Sequence, residues 1–522
     1  MLPNLSQILE MQDFAEQQQA MVKFVTELPS LGQDELSEIL NALTEFCSQP
    51  TTLPEDQHCQ IAGIVITRIT QIQKTAPLTW PAAQLEAINQ IYANAPAESN
   101  LRNQLLGLLA TIGTDSALAI WQQRLCTDPP RNRKGIALAF APLMHKQALL
   151  TQPLFDALLT GAFSHLPVAA AMLDLANYAF RYGILAPHPA EGRIEQLTSL
   201  LGQLTGQMAR IEEGNIPEKW EPLQISQTVS DAVALIIPIC DVIALMEYEP
   251  AIGKLNQTLE LKHRRLQTEA AAALAKLDDE AGRNALIALA EHANVRTRVL
   301  AYADELGLGN QISLEYQGDI ATAEAHLATW LSEPEQMGIA PSKIELVDNR
   351  EWSWPSYEHP IQCYLFQYTY GSGPNAYRNV GISGPLTHAF SADITPLATL
   401  DLYAAFAGRQ TTHEEIFTVP FDRAAQAMPS VVANLVRQMN ELDYVATKPL
   451  ALAGFFGEYQ LIAEAQPASQ NDTELGTLIV HNDSADWIGL GNTAAPIDWQ
   501  IALDIWRGRR LLANFNASDQ FE

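Results

Sequence analysis

The chain has 522 residues, 47% of them hydrophobic and 17% charged, which excludes a disordered polymer and allows a large buried core. Its 31 basic and 60 acidic residues give a net charge of −29, a field that repels a phosphate backbone and argues against nucleic acid as a partner. Residues 311–522 carry −16 and residues 1–310 carry −13, so neither part hides a basic half.

The first 20 residues, MLPNLSQILEMQDFAEQQQA, lack a basic start and an unbroken apolar run, so a secretory signal is not expected and a cytoplasmic location is. The apolar stretch Asp231 to Met246 is interrupted by Pro238 and Asp241 and is shorter than the roughly 20 residues of a bilayer span; it predicts a buried helix. The five cysteines, Cys47, Cys59, Cys126, Cys240 and Cys363, form no CxxC pair, so reduced thiols are expected, with neither a zinc site nor a disulfide framework.

Up to about residue 310 the apolar residues recur at i, i+3, i+4 and i+7, the period of amphipathic helices. Four segments align without gaps: Leu101–Gly113, Asn132–Met144, Leu266–Asp278 and Val295–Gly307. They place Leu105, Ile136, Ala270 and Val299 in one column and Ile112, Leu143, Leu277 and Leu306 in another, seven residues on. Small residues in the middle of each segment allow close helix approach. Asp115–Arg124 and Asp279–His292 are expected as the antiparallel partner helices, and a pair of this size needs stacked copies to bury its apolar face.

These residues make the chain similar, over about 95–310, to HEAT-type repeat proteins of the phycobilisome-lyase-like kind, whose repeats open with Val-Arg and close on Leu-Gly-Asp. Val295, Arg296 and Gly307 match one copy, Arg102 and Gly113 a second, and Leu277-Asp278-Asp279 the close of a third, in which Gln267 replaces the arginine. The resemblance implies an all-α solenoid over residues 1–310. Bilin attachment does not follow, since Ala/Leu spacing is a packing feature. An irregular bundle of alanine-rich helices is the alternative.

Residues 311–522 hold six of the nine tryptophans together with turn clusters and strand-like runs, and predict a separate α+β domain with antiparallel sheets. A helix is expected at about 321–331, strands at Lys343–Val347, Ile361–Thr369 and Tyr377–Ile382, and a helix at Leu400–Ala407 stopped by Gly408. The order recurs in Phe456–Ala463, Glu474–His481 and Trp499–Trp506, the last stopped by Gly508. At an offset of 100, Pro396, Leu397, Tyr403, Phe406, Gly408 and Arg409 fall on Pro496, Ile497, Leu503, Trp506, Gly508 and Arg509. This predicts duplicated β-β-α halves, about 343–410 and 455–510; chance alignment of two hairpin-plus-helix segments is the alternative. Pro334–Gly338 and Gly384–Phe390 resemble segments of domains of unassigned activity attached to bacterial HEAT-repeat proteins.

No Walker loop, GxGxxG, HExxH, GxSxG or EF-hand loop occurs, so no cofactor and no metal is expected. The polar run Thr411 to Glu415 is expected as a loop or helix start, because adjacent His413, Glu414 and Glu415 do not share one helix face. His388, His413 and Glu414 are the catalytic candidates if the domain is an enzyme. Arg409 and Arg509 sit where cations favour helix C-termini, or else grip an anion together. Trp352 and Trp354 are either a recognition surface or a packed core edge.

The leading expectation is a non-catalytic scaffold or adaptor whose acidic solenoid surface binds a protein partner with a basic surface, without nucleic acid or membrane insertion. The rival is an enzyme or small-ligand binder with its site in the C-terminal domain.

Overall fold

The computed structural model describes residues 5–11, 13–26, 32–48, 55–131, 135–161, 163, 165–217, 219–410, 413–468, 475–482, 484–489 and 498–516. The chain divides into two compact units, 1–286 and 287–522.

Helices build the first unit: α1 (Leu5–Leu9), α2 (Phe14–Thr26), α3 (Gln33–Ser48), α4 (Glu55–Thr75), α5 (Ala82–Asn94), α6 (Asn100–Ile112), α7 (Asp115–Thr127), α8 (Ile136–His145), α9 (Gln152–Gly161), α10 (Leu166–Arg181), α11 (Ile194–Glu212), α12 (Pro222–Leu245), α13 (Ile252–Leu259) and α14 (Arg264–Lys276). Helix α15 (Glu280–Leu289) spans the division between the units. The ends follow from local chemistry. Ser99 caps α6 by accepting the Leu101 N–H at 3.1 Å, left-handed Gly113 ends it at φ 71°, and Thr114 immediately caps α7.

Alternate helices pack on one another. Helix α2 packs on α4, α4 on α6, α6 on α8, α8 on α10, α10 on α12 and α12 on α14, while α1 packs on α3, α3 on α5, α5 on α7 and α7 on α9. The result is two layers sharing one core, in which Leu105, Ile136 and Leu143 from the aligned columns are buried. The stretch predicted as a buried helix is the second half of α12. That helix is long and apolar enough to cross a membrane, yet Leu235, Ile236, Ile239 and Ile243 are buried among neighbouring helices, and Asn177 on α10 donates to the Pro238 carbonyl at 3.1 Å.

The second unit opens with α16 (Ala293–Glu305) and α17 (Asp319–Leu331). An antiparallel sheet follows, of β1 (Lys343–Trp352), β2 (Ile361–Tyr370), β3 (Tyr377–Ser383) and β4 (His388–Ala389), in sequence order, and then α18 (Thr399–Gln410). After β5 (Ile416–Pro420), α19 (Phe421–Ala427) and α20 (Pro429–Asn440) come β6 (Tyr444–Phe455), β7 (Glu458–Pro467), β8 (Gly476–His481), β9 (Ser484–Gly489) and α21 (Trp499–Phe515). Strands β5 to β9 form a second antiparallel sheet, again in sequence order.

Side-chain alternation arranges these elements in layers. Cys363 and Leu365 of β2, Ile462 of β7 and Ile479 of β8 point into a core shared with α18 and α21. The alternate residues Tyr364, Phe366 and Tyr368 pack on α17, whereas Leu461, Ala463, Leu478 and Val480 pack on α20. The order is therefore α17, first sheet, the α18–α21 pair, second sheet, α20.

Two sequence expectations need correction here. Gly408 and Gly508 do not stop their helices: α18 runs to Gln410 and α21 to Phe515. Each glycine lies where the two helices cross. A Cβ on Gly408 would stand 1.9 Å from the Asp504 carbonyl oxygen, and one on Gly508 would stand 1.7 Å from that of Ala404. The contact is reciprocal at the offset of 100, since 404 and 408 meet 504 and 508. Pro496, Ile497, Thr411, Thr412, Glu474 and the opening of the Asn132–Met144 segment lie outside the described residues.

Candidate functional site

The catalytic candidates do not assemble. His388 on β4 is enclosed by the rings of Trp330, Phe390 and Phe406, with centroids 5.3 to 6.2 Å away, and its buried Nε2 has no hydrogen-bond partner among the described residues. Burial, and secondarily the Arg409 charge, push its pKa down to about 4, so the ring is neutral at pH 7. Arg409 lies over the Phe390 ring at 5.6 Å. His413 instead rests on Phe456 at 5.2 Å and accepts the Glu415 N–H at its Nδ1; Glu414 is exposed in the loop leading into β5. Among the described residues no contact joins His413 or Glu414 to His388.

Arg409 and Arg509 do not converge on one point. Arg509 lies inside α21 rather than past its end and pairs with Asp401 of α18 at 2.7 Å, a bond that raises its pKa. Trp352 and Trp354 are core residues, each 1% exposed, so they offer no recognition surface. Trp352 packs edge-on against Tyr403 at 5.6 Å, and the Trp354 indole N–H donates to Gln410.

A polar array that none of these residues signalled lies at the β8–β9 hairpin. His481, 6% exposed, bonds Asp486 Oδ2 through Nε2 at 2.8 Å, and Asp486 also accepts the Trp506 indole N–H at 2.7 Å. At Nδ1 it meets the Ser484 hydroxyl at 3.1 Å and an Arg510 N–H at 3.2 Å. A guanidinium only donates, so Nδ1 accepts and the proton sits on Nε2. Arg510 lies over the Trp506 ring at 4.5 Å and pairs with Glu458 at 3.3 Å. The line Asp486–His481–Ser484 has the donor and acceptor roles of a base-activated hydroxyl. The one Ser484 proton is shared with the His481 carbonyl at 3.2 Å, the bond of an ordinary hairpin closure. In sequence the residues are 481, 484, 486, 506 and 510, and only the hairpin and the α21 packing bring them together.

A concave surface lies in the helical unit. Three adjoining cavities of about 770, 660 and 620 Å³ share walls. The first and second share Thr67, Gln71, Asn100 and Gln104; the second and third share Lys74, Thr111, His145 and Lys146. Together they form a groove along α4 and α6, bounded by α2 and α8. On α4, Thr67, Thr70, Gln71 and Lys74 recur at helical spacing and turn a polar stripe into it. Such a stripe is indistinguishable in sequence from any solvated helix face, so the groove had no signal there. Gly107 lines the middle, and a Cβ there would meet the Leu138 carbonyl at 3.6 Å, an ordinary van der Waals contact between α6 and α8.

The groove holds both anchors and charge. Val22 at one end is 48% exposed and Leu138 toward the other is 63% exposed. Arg68, Lys74 and Lys146 bring cations, His145 an imidazole and Glu98 a carboxylate. The Lys146 ammonium donates to the Thr111 carbonyl, which holds that charge against α6. Comparison with protein-family models finds none that matches this chain, and comparison with curated proteins finds no match either.

Proposed function

We propose that the chain is a cytoplasmic, non-catalytic scaffold whose helical unit is a HEAT-type solenoid and receives a partner protein in the α2–α4–α6–α8 groove. The observation that carries this reading is the continuity of the groove over four helices of one layer. The alternate-helix packing supports the solenoid, and so does the buried Arg102, which stands at the arginine position of the aligned segments. The second unit is a duplicated module: helix, antiparallel meander and helix occur twice, with α17 and α20 outermost and α18 and α21 crossing at paired glycines. The −29 charge steers partners with basic surfaces over long range, while local charge selects what lies in the groove.

Affinity purification from native extract tests the reading, with a Leu138→Asp variant as the comparison. A partner retained by the parent chain and lost with the variant is expected. Equal recovery with both would overturn the groove as the docking surface. The hairpin array favours a second reading, an enzyme or small-ligand site in the second unit. Labelling of Ser484 by a fluorophosphonate, abolished in His481→Gln, would shift the weight to it.

A further inference from the structure

Local charge in the groove runs against that of the chain. Arg68, Lys74 and Lys146 face one carboxylate, Glu98, in a protein with 31 basic and 60 acidic residues. Lys74 and Lys146, with His145, line the junction of the second and third cavities, and all three are exposed. Between them and Val22, the walls supply side chains that both donate and accept: Thr67, Thr70, Gln71, Asn100 and Gln104. Such groups suit the main chain of an extended segment, whose N–H and C=O groups need partners once out of water.

We propose that the groove binds an extended acidic peptide segment of a partner protein, its carboxylates at Lys74 and Lys146 and an aliphatic side chain on Leu138. This rests on the interaction reading above and names the chemistry of what fills the groove. The local cations offset the repulsion that an acidic segment would meet elsewhere on the surface, so they favour binding here over other places. A nucleic acid is disfavoured, because the long-range field repels phosphate and three cations are few for a polyanion that gains affinity through many phosphate contacts.

The test is fluorescence anisotropy with the full chain and a labelled peptide of about 14 residues, Glu-rich with spaced leucines and long enough, at roughly 3.3 Å per residue, to follow several helices. Binding is expected, weaker at about 500 mM than at about 50 mM salt. The double variant Lys74→Glu/Lys146→Glu should weaken it at least about tenfold, while Lys254→Glu/Lys262→Glu, an equal charge change outside the groove, should leave it unchanged. Because Lys146 also holds α6, Lys74→Glu alone and Leu138→Asp serve as the second variants, each with its melting temperature compared with the parent. Failure of the peptide to bind, or equal weakening by the outside variant, would overturn the proposal. Tighter binding of a single-stranded oligonucleotide that displaces the peptide would overturn it in favour of nucleic acid. If the native partner is still lost with Leu138→Asp while acidic peptides fail, the interaction reading stands and only the acidic occupant falls.

Discussion

Arg102 and Arg296 occupy the second position of two aligned segments and do the same physical work. Arg102 is 6% exposed; its Nε donates to the Ala95 carbonyl at 2.7 Å and its Nη1 reaches Asp128 at 2.8 Å. Arg296 is 2% exposed; its Nε donates to the Ala290 carbonyl and its Nη1 to Glu324, both at 2.8 Å. Each therefore ties the carbonyl end of the preceding helix to a carboxylate about one repeat onward, and each lies over a tyrosine, Tyr92 or Tyr316. In the segment that lacks the arginine, Gln267 donates to the Leu259 carbonyl at 3.1 Å, keeping the bond to the preceding helix and giving up the carboxylate. Arg102→Ala should cost about 2–3 kcal/mol, because a buried carbonyl loses its donor and Asp128 keeps only the longer pairing with Arg124 at 3.7 Å. Arg102→Gln should cost about half as much, having the chemistry of Gln267. Denaturant midpoints of the two variants decide this, and equal losses would show that the carbonyl bond is not what matters.

At the scale of elements, the α18–α21 crossing is the tightest contact between helices of the second unit, and it makes a specific demand on Gly408 and Gly508. A methyl at either position would overlap a backbone carbonyl, which cannot rotate aside, so the helices must separate. Gly408→Ala should cost about 3 kcal/mol, as should Gly508→Ala. The double variant should cost clearly less than the sum, since one separation accommodates both methyls. Unfolding followed by tryptophan fluorescence, with six of the nine tryptophans in this unit, measures all three; full additivity would mean that the two overlaps are relieved independently. The helical periods, the first three strands and the two glycine positions were legible in the sequence, because periodicity and composition are local. The reason for the glycines was not, since a C-cap and a crossing point call for the same small residue. Strand β6 and helices α19 and α20 also escaped, although α20 carries a helical period in Val432, Leu435 and Met439, which form its buried face. The candidate site was less legible still: His481, Ser484, Asp486, Trp506 and Arg510 become one array only through packing of α21 on the second sheet, while Trp352 and Trp354 are buried where the end of β1 meets Tyr403 and Gln410 of α18.

Across the whole molecule, buried titratable groups make the helical unit more acid-sensitive than the second unit. In the helical unit His188 is 3% exposed, bonds Asn177 Oδ1 through Nε2 and accepts the Ala190 N–H at Nδ1, and burial pushes its pKa down to about 4. A depressed histidine favours the folded state when neutral, so its contribution is present above the unfolded value near 6.5 and is lost as pH falls toward 4. The loss is about 3 kcal/mol, and His263, lowered mainly by burial, acts in the same direction. In the second unit His388 behaves likewise, but Asp504 opposes it. Asp504 is 8% exposed and burial pushes its pKa up to about 6, against the charges of Arg507 and Arg409. Its contribution is present below the unfolded value near 3.8 and is lost as pH rises through 6, again by about 3 kcal/mol. Acidification from pH 7 to about 4.5 should therefore weaken the helical unit through these groups, while in the second unit the two changes largely cancel. His188→Gln should remove most of the acid loss from the helical unit, and Asp504→Asn should make the second unit more acid-sensitive than the parent by uncovering His388. Denaturant unfolding of both variants and the parent at the two pH values checks the signs; an Asp504→Asn chain with unchanged pH dependence would show that this carboxyl is ionised in the folded protein throughout the range.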